Sequence, residues 1–175
     1  HNHKNNTIFE LDNQPEHLII IGGGAIGIEM AQAQCRLGTT VTLIEGAQAL
    51  GREDLEISSI VLDSLRADGV TIMEDTGVEK IVASGTSNKP AVEIHTSAGK
   101  ISGTHLLVAT GRTANIERLN LSAAGVDVLR PPVGQPYIST DKRLRTTNRK
   151  IFAIGDVAGG PQFTHSAGYQ AGIVI

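Results

Sequence analysis

Three glycines and one acid carry most of the chemistry in the opening third of the chain. Gly22, Gly24 and Gly27 stand in the run Ile21-Gly-Gly-Gly-Ala-Ile-Gly27. Glu45 follows the first of them at about twenty residues. A glycine at 22 permits a tight turn out of a strand. Gly24 leaves bare main chain where a side chain would otherwise stand, so an anion can approach. Gly27 lets a helix pack close to the strand before it. Ala25 and Ile26 open that helix and add N–H groups at its positive end. This set suits a diphosphate. An acid one strand further on suits an adenosine ribose 2′-hydroxyl, and the pair specifies a dinucleotide. A carboxylate repels a 2′-phosphate, which favours NAD over NADP.

The elements that must position these residues can be read around them. Residues 18–21 are Leu-Ile-Ile-Ile, an unbroken apolar run that fits a parallel strand covered on both faces. A helix is expected over 25–37, with Ile26, Met30, Ala33 and Leu37 as its sheet-facing stripe and Gly38 as its stop. A second strand runs over 40–45 and ends in Glu45. A second helix is expected over 54–67, with Leu55, Ile57, Ile60, Val61, Leu62 and Leu65 as its apolar content. Asp54 or Glu53 can cap it, and Asp68-Gly69 ends it. A third strand begins at 70–72. Strand–helix–strand–helix–strand is half of a doubly wound nucleotide-binding fold.

Beyond it the texture changes. Short β segments at 78–83, 91–96 and 100–101 alternate with Gly-Thr-Ser-Asn and Ser-Ala-Gly turns, which predicts an antiparallel meander. An apolar strand returns over 104–109. The remainder holds a loop-rich centre with Pro131-Pro132, a strand over 150–154 and a helix over 164–175. Near the start, residues 1–6 are polar and read as a poorly ordered tail. Residues 7–11 read as a helical turn, and Pro15 precedes the first strand.

Composition narrows the function. The chain has 175 residues, 40% hydrophobic and 19% charged, as a globular protein should. A net charge of −3 and the absence of Trp argue against nucleic acid as a partner. A single cysteine, Cys35, excludes an intrachain disulfide and a cysteine-rich metal site. Cys35 and the two N-terminal histidines read as ordinary packing and solvated residues, so no metal site is expected. No apolar run reaches membrane-spanning length and no signal-peptide core opens the chain, so a cytoplasmic protein away from membranes is expected.

The order of motifs resembles the pyridine nucleotide–disulphide oxidoreductases, in particular the branch holding mercuric reductase and dihydrolipoamide dehydrogenase. The residues that carry it are Gly22-Gly-Gly-Ala-Ile-Gly-Ile-Glu29, Leu43-Ile-Glu45, Ala109-Thr-Gly-Arg-Thr-Ala-Asn115, Phe152-Ala-Ile-Gly-Asp-Val157 and the run from Phe163 to Gly172. The resemblance implies an α/β chain: a Rossmann-like NAD-binding domain with a parallel sheet and an antiparallel meander, then part of an FAD-binding domain. The implied divisions are a linker at 1–14, the NAD domain at 15–112 and the FAD portion at 113–175.

The same resemblance implies roles. Gly22, Gly24 and Gly27, with Ala25 and Ile26, would hold the NAD diphosphate. Glu29 would lie beside the nicotinamide carboxamide, Glu45 on the adenosine ribose and the Val78 backbone against the adenine. Gly111 and Arg112 would sit where the two nucleotide domains meet. Asp156 would bind the FAD ribityl chain, and Thr164 would face the flavin pyrimidine edge. Gly46 and Ala47 stand where NADP-binding members carry a basic residue, whereas Arg52 matches a second phosphate-binding position in some of them. Ala25 replaces the aromatic that shields the flavin in several members.

A redox Cys-x4-Cys with its own FAD segment, and a dimerisation domain with a catalytic His-Glu pair, belong to the family but not to these residues. His165 falls in a different motif. The expectation is a central piece of a longer homodimeric flavoprotein, with no catalytic residue of its own and no activity alone. The parent would pass hydride from NADH to FAD and onward to a disulfide or similar acceptor. Alternatives are an NAD-binding module without catalysis, or an NADH oxidase or ferredoxin reductase-like flavoprotein.

Overall fold

The computed structural model describes residues 2–3, 8–86 and 89–175. It divides into two compact units, His1–Gly111 and Arg112–Ile175. The first unit contains β1 (Asn2–His3), a 3-10 turn (Ile8–Glu10), β2 (His17–Ile21), α1 (Ala25–Arg36), β3 (Thr40–Ile44), α2 (Leu55–Asp68) and β4 (Thr71–Met73). It continues with β5 (Val78–Thr86), β6 (Lys89–Thr96), β7 (Gly99–Gly103) and β8 (His105–Val108).

One sheet has the order β1-β8-β2-β3-β4, with every neighbouring pair parallel. Ile20 pairs with Leu43 on one side and Leu107 on the other. The chain therefore builds outward from β2 to β4, then returns to add β8 on β2's other edge. In doubly wound sheets, ligands bind at the carboxyl ends of the strands beside such a reversal of strand order.

The apolar runs are explained by cover on both faces. Leu18, Ile20, Val41, Leu43 and Leu107 pack with Ile28 and Ala31 of α1 and Leu62 and Leu65 of α2. Ile19, Ile44 and Leu106 point the other way and pack with Val92 and Ile94 of the antiparallel β5-β6-β7 meander. Burying one such side chain contributes about 1.5–3 kcal/mol, and Leu18, Ile19 and Ile20 are all fully buried.

Both helices predicted for the first unit form, with corrected faces and ends. Of the expected stripe Met30 packs against the core, but Ala33 and Leu37 are exposed; Gly27, Ile28 and Ala31 are the buried residues of α1. The face follows Gly27. A Cβ there would come within 1.9 Å of the Gly22 carbonyl oxygen, so this is where the helix touches the turn before it. Leu55, Ile57 and Ile60 of α2 are exposed, although they read as apolar content. Asp54 rather than Glu53 caps α2, and Gly69 ends it in the left-handed region at φ 103°. At the N-terminus, Asn2 and His3 join the sheet beside Leu106 and Leu107 instead of forming a loose tail. The expectations for residues 1, 4–7 and 87–88 fall outside the described residues.

The second unit holds a small antiparallel pair, β9 (Val128–Leu129) with β10 (Tyr137–Ile138), then a 3-10 turn (Gly155–Ala158) and α3 (Thr164–Val174). Ala114, Ile116, Val126, Ile138 and Ala153 form its core. The strand expected over 150–154 is reduced to one bridge, Arg145 with Phe152. Thr146 and Asn148 close a tight turn there: Thr146 N–H donates to Ile151 O, and Asn148 O accepts from the Thr146 hydroxyl. No residue of α3 is buried.

Candidate dinucleotide site

Gly22 leaves β2 at φ 112°, and a Cβ on it would lie 2.5 Å from the Ala109 carbonyl oxygen. Only glycine allows the turn to press against the end of β8 in this way. Its N–H donates to Ile44 O at 2.9 Å, while Ala109 N–H donates to Ile21 O at 2.8 Å. The turn is thus tied to strands on both sides of β2.

Gly24 differs from its neighbours. It is exposed and takes a φ of −78° with extended ψ, and a Cβ on it would meet nothing within 4 Å. It is the N-cap of α1 and has no side chain with which to cap it. Ala25 is exposed and Ile26 half-buried at the first two helical positions. The first N–H groups of a helix lack intrahelical acceptors, and the macrodipole adds partial positive charge there. Open space in front of such a helix start is what a diphosphate requires, so the residues fit a dinucleotide.

Glu45 follows β3 and reaches the same turn. Its Oε2 accepts from Gly23 N–H at 2.6 Å and its Oε1 from Ala47 N–H at 3.1 Å. Its backbone is held by Met73 O and Thr76 N–H, at 2.8 and 2.9 Å. The side chain is half-buried, and each carboxylate oxygen keeps a further lone pair for a ligand hydroxyl. Arg52 is exposed in the loop that follows.

Gly22, Gly24, Ala25, Ile26, Gly27 and Glu45 are therefore brought together at the carboxyl edge of β2 and β3. Glu29 is exposed on the next turn of α1. Val78 opens β5, half-buried against the Ile19 and Ile44 cluster, just after the Thr76 that touches Glu45. Gly111 ends the first unit at φ 148°. Arg112, Asp156 and Thr164 belong to the second unit. There Arg112 donates to Gln162 O, Asp156 is exposed in the 3-10 turn and Thr164 is exposed at the start of α3.

Sequence reasoning missed Gly23 and Glu74. The glycine spacing assigns 22, 24 and 27, yet Gly23 supplies the N–H that holds Glu45. A Cβ on Gly23 would also lie 3.0 Å from Ala49. Glu74 binds Ala49 N–H, a contact across 25 residues with no motif to announce it. Among the described residues, no group of three or more His, Cys, Asp or Glu is placed to hold a metal, and no helix is long and apolar enough to cross a membrane.

A family model described as "Pyridine nucleotide-disulphide oxidoreductase" matches residues 1–171. Mercuric reductase of Lysinibacillus sphaericus is 38% identical over 169 residues, covering 96% of this chain and 30% of that protein. Dihydrolipoyl dehydrogenase of Chlorobaculum tepidum is 34% identical over 167 residues, covering 94% of this chain and 34% of that protein. The solved structure of the HOCl-induced flavoprotein disulfide reductase RclA from Escherichia coli matches with a TM-score of 0.87 and 34% identity, over 99% of this chain and 38% of that one. The chain spans about a third of the length of the curated relatives it matches.

Proposed function

The chain belongs to the pyridine nucleotide–disulphide oxidoreductases, and we propose that it is the NAD(H)-binding segment of a flavin-dependent member. The observation that carries this reading is the open space at Gly24 in front of an uncapped helix, with Glu45 one strand away. In this reading the backbone from Gly22 to Gly27, including the N–H groups of Ala25 and Ile26, holds the diphosphate. Glu45 accepts from the adenosine ribose hydroxyls and repels a 2′-phosphate, so NAD is preferred to NADP. Val78 lines the adenine side, and Glu29 and Gly111 the nicotinamide side. Arg112, Asp156 and Thr164 serve the flavin. The flavin and nicotinamide, when bound, supply hydride transfer; the protein supplies placement. We assign the electron acceptor, catalytic turnover, dimer formation and stable FAD retention to the longer parent, working in the cytoplasm. The acceptor is a disulfide or similar group, as in dihydrolipoamide dehydrogenase.

Titration calorimetry tests the central assignment. The wild-type chain is expected to bind NADH more tightly than NADPH. Glu45→Arg should weaken NADH roughly tenfold, the scale of one charge-assisted hydrogen bond, and improve NADPH. No change in either affinity would remove Glu45 from the site.

A further inference from the structure

We propose that Glu74 is a positioning residue for the dinucleotide site, acting through the loop between β3 and α2. This rests on the reading of Gly22–Gly27 and Glu45 given above. The loop folds back over the glycine turn. Leu50 N–H donates to Gly23 O at 2.8 Å, and Ala49 lies against Gly23 so closely that a Cβ there would be 3.0 Å away. Leu50 adopts φ 54°, a conformation that L side chains rarely take and that its surroundings must enforce.

Glu74 supplies the enforcement from the other side. Its Oε1 accepts from Ala49 N–H at 2.9 Å, immediately before the strained residue. Its Oε2 is held by Arg66 of α2 at 3.0 Å. Asp75 N–H adds a bond to Ala47 O at 2.9 Å. A continuous path therefore runs from Arg66 through Glu74 and Ala49 to Gly23, whose N–H holds the Glu45 carboxylate. Without Glu74, Ala49 N–H loses its acceptor, Leu50 is free to leave the left-handed region and the Gly23 main chain loses its support. The groups that meet the diphosphate and the ribose would then no longer be pre-ordered.

The test combines amide hydrogen exchange on the ligand-free chain with calorimetric titration of NADH. Glu74→Ala should speed exchange at Ala49 and Leu50 and weaken NADH binding roughly tenfold. Glu74→Gln keeps a carbonyl acceptor for Ala49 N–H and should restore both. Unchanged exchange in Glu74→Ala, or a Gln variant no better than Ala, overturns the proposal while NADH binding by the wild type stands. A wild-type chain that binds no NADH overturns the nucleotide reading itself, whatever the exchange data show.

Discussion

α1 and α2 lie on the same face of the same sheet, yet they begin in opposite ways. α2 starts at Asp54, whose carboxylate accepts from Glu56 N–H at 3.0 Å and Ile57 N–H at 3.3 Å. α1 starts at Gly24, which has no side chain to cap its first N–H groups. A cap of the Asp54 kind is worth about 1 kcal/mol. Glycine in that place gives up only a few tenths of a kcal/mol against such a cap. In the function proposed above, the open α1 terminus is what receives the diphosphate. The glycines before it also separate by purpose. Gly27 is crowded by the Gly22 carbonyl, whereas Gly24 faces empty space.

Gly27→Ala should produce the largest effect. Its Cβ would collide with a backbone oxygen 1.9 Å away, so the turn or the helix must shift. A loss of about 4 kcal/mol or more is expected in urea denaturation, with nucleotide binding lost as a consequence. A stable Gly27→Ala chain would show that α1 does not depend on close approach to β2.

Gly24→Asp probes the two helix starts most directly, because it makes α1 begin as α2 does. The backbone at 24 already suits an L-residue and the space beside it is open. The new carboxylate should cap the helix and raise stability by a few tenths of a kcal/mol. It also places negative charge where the diphosphate would lie. Like charges about 4 Å apart at a protein surface cost several kcal/mol, so NADH affinity should fall by roughly a hundredfold or more. Melting temperature and affinity should thus move in opposite directions. A stabilised variant that still binds NADH would mean that the open terminus has no special role.

Asp54→Ala is the reciprocal change and a smaller one. It should cost about 1 kcal/mol in denaturant unfolding, the ordinary worth of a cap. Its NADH affinity should change far less than that of Gly24→Asp. If both variants lost binding equally, the two helix starts would share one role.

Much of this contrast is legible in sequence because it depends on local chemistry. Glycine spacing, the apolar run before it, the Asp54 cap and the terminal Gly69 all act through near neighbours. The face of α1 is only partly legible: period favours Ile26, Met30, Ala33 and Leu37, of which Met30 packs on the core while Ala33 and Leu37 are exposed. The real face is set by the one residue, Gly27, that has no side chain to show in a hydrophobic pattern. Asn2 and His3 escape for a related reason: they join the sheet through main-chain pairing, which needs no apolar signature. The strand expected over 150–154 gives way to a turn closed by polar side chains. Glu74 is invisible because its partner is the backbone of a residue distant in sequence.

The smallest effect separates the strand from the helix it feeds. His17 opens β2 at the end away from Gly22, with its Nε2 2.9 Å from the Thr42 hydroxyl. Burial pushes its pKa below the ordinary histidine value, against a weaker opposing bond to the Ser102 backbone. The unfolded chain therefore takes up this proton near pH 6.5, before the folded chain does. Stability contributed by neutral His17 is complete above that pH and declines as pH falls towards the lowered folded value. His17→Gln should flatten this part of a melting-temperature profile. NADH affinity should not follow the same titration, because the ring lies at the opposite end of the strand from the glycine turn. An affinity change that tracked the His17 proton would mean that the sheet and the open helix terminus are coupled, and that the bareness of Gly24 alone does not set the site.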